Sequence, residues 1–285
     1  MISNIREFIK YKDLLKQLVI RDLKVRYKNS VLGFFWSLAN PLIQAATITI
    51  IVKFVMKVDI ANYSAFVLIG FLPWIFFQMA LLDSSQVFLM HRDLLKKVYF
   101  PRETLALSVV ISNLIHFCLS LAVFFVYLGV YYFFLSGSPL LKTTLLLPVI
   151  MLFQTLLIIG LTFFISTLNV FFEDTKYIVS ALLNVFFYLT PIMYPVELVY
   201  DSLKRFPAYH NIIYKIYMLI PMNTLTDTYR KALVAIPNVN VGGEKFEVFP
   251  LDYGMFAICG IICTTVAFLG YRFFIKRAAT FAERL

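Results

Sequence analysis

Asn184, Tyr188 and Thr190 are the polar side chains of a stretch, Tyr177 to Tyr194, that runs eighteen residues without a charge. As one helix it reaches ~27 Å, close to the ~30 Å hydrocarbon core of a bilayer. Asn184 and Tyr188 are four residues apart and share a helix face. A polar stripe against lipid is costly, so this span faces protein or a water-filled path. The plainer alternative is a helix that only packs in a bundle. Asp83 is the one acid well inside an apolar run, followed by Ser84, Ser85 and Gln86. An intramembrane acid invites a proton-coupling role. Asp83 is only seven residues from Met90, or ~10 Å from the inner end, which favours packing or an inner vestibule.

The segment His91 to Glu103 reads H-R-D-L-L-K-K-V-Y-F-P-R-E. Leu94, Leu95, Val98 and Tyr99 make an apolar edge at helical spacing, surrounded by Arg92, Lys96, Lys97 and Arg102. Apolar anchors with a charged rim suit docking onto a cytosolic partner. The alternative is a simple inside anchor. Enzymatic chemistry has little to stand on. There is no phosphate-loop, H-E-x-x-H or C-x-x-C motif. His91, His116 and His210 are scattered, and Cys118, Cys259 and Cys263 lie in apolar stretches as buried thiols. No catalytic residue, metal site or cofactor of this chain is assigned.

The elements that carry these residues follow from composition. Of 285 residues 61% are hydrophobic and 15% charged, which makes an integral membrane protein with no separate soluble domain. The net charge of +10 does not indicate nucleic acid, because the basic residues sit in particular loops. The fold class is all-α, in one transmembrane domain over 1–285. Residues 1–30 form a basic interface helix with Tyr11, Leu14, Leu15, Leu18 and Val19 on one face, interrupted by Asp22. No cleavable signal peptide opens the chain. Spans one to five occupy 31–195: about Val31–Val55, Ala65–Met90, Thr104–Leu135, Thr144–Val170, and the Asn184 stretch. The third is ~48 Å long as a helix, so it tilts or projects. Residues 196–252 are extracytoplasmic, and 253–285 hold span six (about Tyr253–Ile275) and a cytosolic tail. Between Pro207 and Pro237 the chain is apolar but broken at Pro221, with halves too short to cross. Two helices dipping into the outer leaflet fit this pattern, as does a folded loop on the surface. Asn238 to Phe249 reads as a solvent loop.

The segments inside on this scheme carry 17 of the 26 lysines and arginines, which puts both termini in the cytosol of a multi-pass protein of the cytoplasmic membrane.

Several stretches together resemble the membrane subunit of type-2 ABC transporters that export polysaccharides, the family of O-antigen, capsule and wall teichoic acid exporters. They are R-D-L-K-V-R-Y-K-N-S-V-L-G-F-F-W-S-L-A-N-P-L at 21–42, G-F-L-P-W-I-F-F at 70–77, L-L-K-K-V-Y-F-P-R-E at 94–103, and the run from Asn169 to T-P-I-M-Y-P at 190–195. The resemblance implies six spans and a homodimer bound to two copies of a separate cytosolic ATPase, which binds ATP and Mg. It implies that 91–103 holds the coupling helix, including Glu103, and that 207–237 forms re-entrant gate helices. It also implies a channel between subunits, bordered by spans one and five and drawing on Phe35, Trp36, Phe187, Tyr188 and Tyr194. Glu173 stands where the family's pattern has a basic residue. A lipid-linked polysaccharide or teichoic-acid-like polymer is then the cargo, with membrane lipids as surroundings. Aromatic rings can stack on the C–H faces of sugars while the polymer slides. With 30 Phe, 17 Tyr and 2 Trp, however, most aromatics face lipid or other helices. The rival reading is an ion-coupled secondary transporter using Asp83.

Topology gives the first test. Single cysteines at Ser3, Ser138 and Asn240, in a cysteine-free background, meet an impermeant thiol reagent in intact cells. The last two are expected to react and the first to be spared; labelling at Ser3 inverts the scheme.

Overall fold

The computed structural model describes residues 11–27, 34–55, 58–60, 62–97, 100–135, 141–234, 238–241, 244–278 and 280–281, with backbone only at 27, 34–38, 55, 58–60, 132, 134–135, 238–241, 244–245 and 247. The chain opens with α1 (Lys12–Tyr27), which places Asp13 in its first turn and Lys24 and Arg26 in its last, complementing the helix dipole. Leu18 and Val19 are buried and Tyr11, Leu14 and Leu15 half-buried, so the expected stripe faces the protein.

Next comes α2 (Phe34–Ile50), which contains Pro41 and runs into one π-helical turn, Ile51–Val55. Strand β1 (Val58–Ile60) leads to α3 (Tyr63–Met90), capped by the Asn62 side chain. Asn62 takes positive φ, 52°, which asparagine tolerates better than most residues. A short α4 (Arg92–Lys97) turns the chain into α5 (Glu103–Leu135). A 3₁₀ turn, Lys142–Leu146, precedes α6 (Leu147–Phe171), and α7 (Thr175–Leu189) follows. Then come α8 (Val196–Leu203), α9 (His210–Leu219), α10 (Pro221–Leu233), β2 (Asn238–Val241), β3 (Glu244–Glu247) and α11 (Tyr253–Ala278).

Among the described residues, four helical stretches are long and apolar enough to cross a membrane: Tyr63–Met90, Glu103–Tyr131, Lys142–Phe171 and Tyr253–Ala278. Two shorter apolar stretches, Ala39–Phe54 and Thr175–Leu189, stand where spans one and five are expected. The eighteen-residue helix expected there is shorter: α7 has 15 residues and stops at Leu189. Proline disfavours the α conformation in the residue before it, and Thr190 is extended, with ψ 136°, ahead of Pro191. Thr190 is buried, so it leaves the face that Asn184 and Tyr188 share. The break at Pro221 is where the sequence places it, because proline suits the first turn of α10 but cannot continue α9.

The expected solvent loop at 238–249 instead supplies two strands. β1, β2 and β3 form an antiparallel sheet, with Val58 opposite Val241 and Val239 opposite Phe246. Sequence periodicity could not find it, because each strand has at most 4 residues and β1 pairs with a strand about 180 residues further on; β2 and β3 are a local hairpin across positions 242–243.

The core is built around α3, which touches α2, α5, α6, α7 and α10. Its two halves serve different clusters. Phe66, Ile69, Trp74 and Phe77 belong to the larger one. Val87 and Phe88 join Leu18, Phe100, Phe163, Phe274 and Phe281 in the smaller, at the end where α4 lies. One polar chain crosses the large cluster. The Tyr229 hydroxyl donates to Gln154 Oε1 at 2.7 Å, and Gln154 Nε2 donates to the Pro73 carbonyl at 2.7 Å. It ties α10, α6 and α3 together where an unpaired amide would cost several kcal/mol.

Helices α6 and α11 approach through glycine. A Cβ at Gly160 would stand 2.6 Å from the Ala267 nitrogen, and one at Gly270 would stand 2.8 Å from the Gly160 carbonyl carbon. Close backbone approach through small residues is a common solution for helices in lipid. Gly160→Ala and Gly270→Ala are therefore expected to destabilise the fold by about 1–3 kcal/mol through overpacking. Gly129→Ala, with nothing within 4 Å, should be neutral or mildly stabilising. Thermal unfolding of the three variants in detergent checks this; equal midpoints for all would remove the glycine contact from the account.

Candidate functional site

Helix α7 has two sides. Val179 and Leu183 are buried, and Phe187 packs on α3 with ring centroids 5.9 Å from Phe71 and 5.8 Å from Trp74. Asn184 lies on the exposed side, and Tyr188 there is 72% exposed. Phe187 and Tyr188 meet edge to face at 5.2 Å. Phe187 thus joins the helix to the bundle, while Asn184 and Tyr188 point away from it. Phe35 and Trp36 lie in the first turn of α2, and their side chains fall outside the described residues.

Tyr194 serves the end of α7. Its hydroxyl is 2.9 Å from the Tyr188 carbonyl and 3.0 Å from that of Leu189, and the Tyr217 hydroxyl donates to Leu189 at 3.0 Å. The last carbonyls of a helix have no partner within it. Two phenols from outside supply what Pro191 removes.

Around this end sits a residue the sequence reading missed. Arg230 on α10 is 2% exposed. Its Nε donates to the Phe66 carbonyl at 3.2 Å, Nη1 to Tyr194 at 3.2 Å, and Nη2 to Ile192. The guanidinium lies 3.7 Å from the centroid of the Phe66 ring, which favours a cation. Burial lowers its pKa to about 10, with Asp227 and Tyr63 opposing, so it stays charged at neutral pH. Gly70 leaves the room: a Cβ there would stand 2.6 Å from Nη2. Tyr63 completes the clamp by donating to the Met193 carbonyl at 2.6 Å. Beside it Lys231 pairs with Asp227 at 2.7 Å and with Glu197 at 3.8 Å. Glu197 also accepts the Phe249 amide at 2.9 Å, which holds α8, α10 and the approach to α11 together. A basic pair on a short helix reads as surface charge in the sequence; only the fold brings three carbonyls to it.

The opposite end of the bundle carries the charged segment. On α4, Arg92, Lys96 and Lys97 are exposed, while Leu94 and Leu95 are half-buried against the smaller cluster. The apolar edge expected to face a partner is thus turned partly onto the chain's own core. Tyr99 lies outside the described residues. Arg102 is 5.6 Å from the Phe281 ring centroid, and Glu103 opens α5 as a favourable N-terminal acid. Asp83 is neutralised in place: its Oδ2 accepts from Arg26 at 2.7 Å and from Asn113 at 3.0 Å, and Arg26 also donates to Asn113 at 3.1 Å. The described residues contain no group of three or more His, Cys, Asp or Glu that could hold a metal.

Residues 13–225 match the ABC-2 type transporter family. The chain belongs to that family. Among the relatives of this ABC-2 chain is the O-antigen export system permease protein RfbA of Myxococcus xanthus, 38% identical over 205 residues, 72% of this chain and 77% of the relative. A protein of the same name from Klebsiella pneumoniae is 36% identical over 198 residues, 70% of this chain and 75% of that one. With its apolar helices, this ABC-2 protein is a multi-pass membrane protein. The family implies an ATPase partner subunit.

The clamp generates the next prediction. Lysine offers a point charge where Arg230 serves three carbonyls with a planar fork. Arg230→Lys and Arg230→Met are both expected to destabilise the chain, on the order of 3 kcal/mol. A cysteine at Met193 should also react faster with thiol reagents. Wild-type unfolding midpoints together with wild-type reactivity would show that the clamp contributes nothing.

Proposed function

We propose that this chain is the permease subunit of an ATP-driven exporter that moves a lipid-linked polysaccharide of the O-antigen kind across the cytoplasmic membrane. Both termini lie in the cytosol, and α2, α3, α5, α6, α7 and α11 act as the six spans. Two copies enclose the path. Each seats one separate cytosolic ATPase subunit, which binds ATP and Mg, on the α4 end; this chain supplies no catalytic group. The names of the relatives favour an O-antigen-type cargo over the teichoic-acid-like polymers and capsules that the sequence equally admits.

The observation that carries this reading is the two-sided α7. Its inner side is fixed to α3, and its other side offers an amide, Asn184, and a phenol, Tyr188. Facing lipid, those groups would be expensive. Facing a symmetry mate across a wet path, they can hold and release sugar hydroxyls, with Phe35 and Trp36 as further candidates along it. Helix α7 alone spans ~22 Å, so the clamped 190–195 segment completes the crossing. At its outer mouth α9 and α10 act as gate helices, too short to cross at ~15 and ~20 Å. The exposed Ile212 and Ile216 of α9 supply a face for lipid or the second copy, whereas α10 is packed into the protein. At the inner end the charged side of α4, with Arg92, Lys96 and Lys97, meets the ATPase, and Leu95, Tyr99, Arg102 and Glu103 shape that seat. The alternative of ion coupling through Asp83 loses support, because Arg26 and Asn113 already hold that carboxylate.

The test uses the complete transporter. Tyr188→Ala is expected to lower polymer export several-fold while assembly and basal ATP hydrolysis persist. Lys96→Glu with Lys97→Glu should weaken copurification of the ATPase; these exposed positions are cleaner than Leu95, whose change also disturbs the core. Normal export by the first variant would move the path elsewhere. Unchanged copurification of the second would reduce α4 to a topological anchor.

A further inference from the structure

Where α1 lies against α3 and α5, the chain forms an open cleft of ≈ 470 Å³, the space of roughly fifteen water molecules. Arg21, Asp22, Arg26, Asp83, Gln86 and His91 provide its polar wall. Val25, Leu82 and Val109 provide its apolar one. The two helices run in opposite senses here, since Arg21 meets His91 while Arg26 meets Asp83. From His91 to Asp83 is ~12 Å along α3. Met90, at the end of that span, is exposed. On the orientation proposed above, α3 ends here, so the cleft opens at the membrane surface and reaches into the adjoining leaflet, the depth at which a phospholipid changes from headgroup to acyl chain.

We propose that this cleft binds the headgroup of one zwitterionic phospholipid, of the phosphoethanolamine type, from the leaflet at the α4 end. The charges argue for a zwitterion. Arg21 pairs with Asp22 at 2.8 Å and Arg26 with Asp83 at 2.7 Å, so the four groups sum to zero. A diphosphate or an anionic headgroup would bring negative charge beside two carboxylates. A zwitterion matches both signs. The phosphate takes the guanidinium hydrogens of Arg21 and Arg26 that Asp22, His91, Asp83 and Asn113 leave over, since each guanidinium carries five. The ammonium takes Asp83, whose side chain keeps 41% exposure and whose Oδ2 alone accepts from Arg26 and Asn113. A primary ammonium has three hydrogens to give to Asp83, Asp22 and Gln86, whereas a quaternary choline has none. That selects phosphoethanolamine over phosphocholine. The acyl chains leave along Val25, Leu82 and Val109, outside the charged wall. Through that lipid the amphipathic α1 is bound to α3 and α5 by a bridge as well as by the Arg26 ion pair. The inference does not depend on which polymer is carried; the side of the membrane follows the orientation proposed above.

The experiment is native mass spectrometry of the complete transporter, released from nanodiscs that contain phosphatidylethanolamine, phosphatidylglycerol and phosphatidylcholine in equal parts. Wild type is expected to retain phosphatidylethanolamine preferentially, at one lipid per chain. Asp83→Asn preserves the shape and the Arg26 and Asn113 contacts but removes the charge for the ammonium. It should lower that retention at least about tenfold, the loss of roughly one charge-assisted contact. Arg21→Gln, at the open mouth, should do the same; it decides alone if Asp83→Asn does not assemble. Lys204→Gln, on α8's C-terminal side, is the control and should retain lipid as wild type does. Equal retention of the three lipids, a preference for phosphatidylglycerol, retention of a lipid diphosphate displaced by none of the three bilayer lipids, or unchanged retention in Arg21→Gln would each overturn the proposal.

Discussion

A proline at position 191 leaves the end of α7 with backbone carbonyls that no helix can satisfy, at a depth where water is scarce. Much of that end of the protein is arranged around that constraint. In lipid, every backbone polar group needs a partner inside the protein. Tyr194 and Tyr217 reach the carbonyls of Tyr188 and Leu189. Arg230 takes those of Ile192 and Tyr194, and Tyr63 takes Met193. Each partner comes from a different element, so satisfying one short irregular segment fixes α3, α7, α9 and α10 relative to one another. A buried guanidinium would be a liability without its carbonyls, the Phe66 ring and the Asp227 charge nearby.

The two ends of α3 then differ in kind. At the end beside the Pro191 segment, the backbone carbonyls are enclosed and held by side chains from several helices, which makes a rigid frame. At the inner end, the charged groups of α1 and α4 stay open to water or lipid, and the aromatic cluster of Phe88, Phe274 and Phe281 lies beneath them. On the proposed reading this is where force enters. A seat that must pass motion inward needs a stiff apolar base, and Leu94 and Leu95 rest on that base. The half-burial of the leucines, which departs from the expectation of a free apolar edge, fits a helix that transmits movement rather than one that only adheres.

How much of this was legible in the sequence depended on distance along the chain. The α1 stripe, the long apolar runs and the Pro221 break are local signals, and the structure carries all three. The end of α7 was equally readable from Thr190-Pro191, but the run of uncharged residues concealed it; lack of charge measures compatibility with lipid, not helicity. The Asp83 carboxylate was noticed, yet its partner Arg26 lies 57 positions away and nothing in either neighbourhood announces the pair. Arg230 lies 164 positions from Phe66. The resemblance implies Tyr194 for the path, and its hydroxyl donates to the backbone carbonyls of Tyr188 and Leu189. Type tells what a side chain can do, and only the fold tells what it is already doing.

The small sheet carries one more consequence. β1 stands before α3, and its partner strand β2 stands after α10. Nearly the whole chain must emerge from the ribosome before Val58 can find Val241, and the Arg230 contact with Phe66 waits almost as long. Closing so large a loop is slow compared with forming helices. During synthesis, therefore, α3 enters the bilayer with the N-terminal end of its core unlocked, and that end closes only after α10 and β2 have been made. A ribosome stalled after α7 would leave both ends of the bundle unfinished, since Arg230 at one end and Phe274 and Phe281 of the smaller cluster at the other are still to be made.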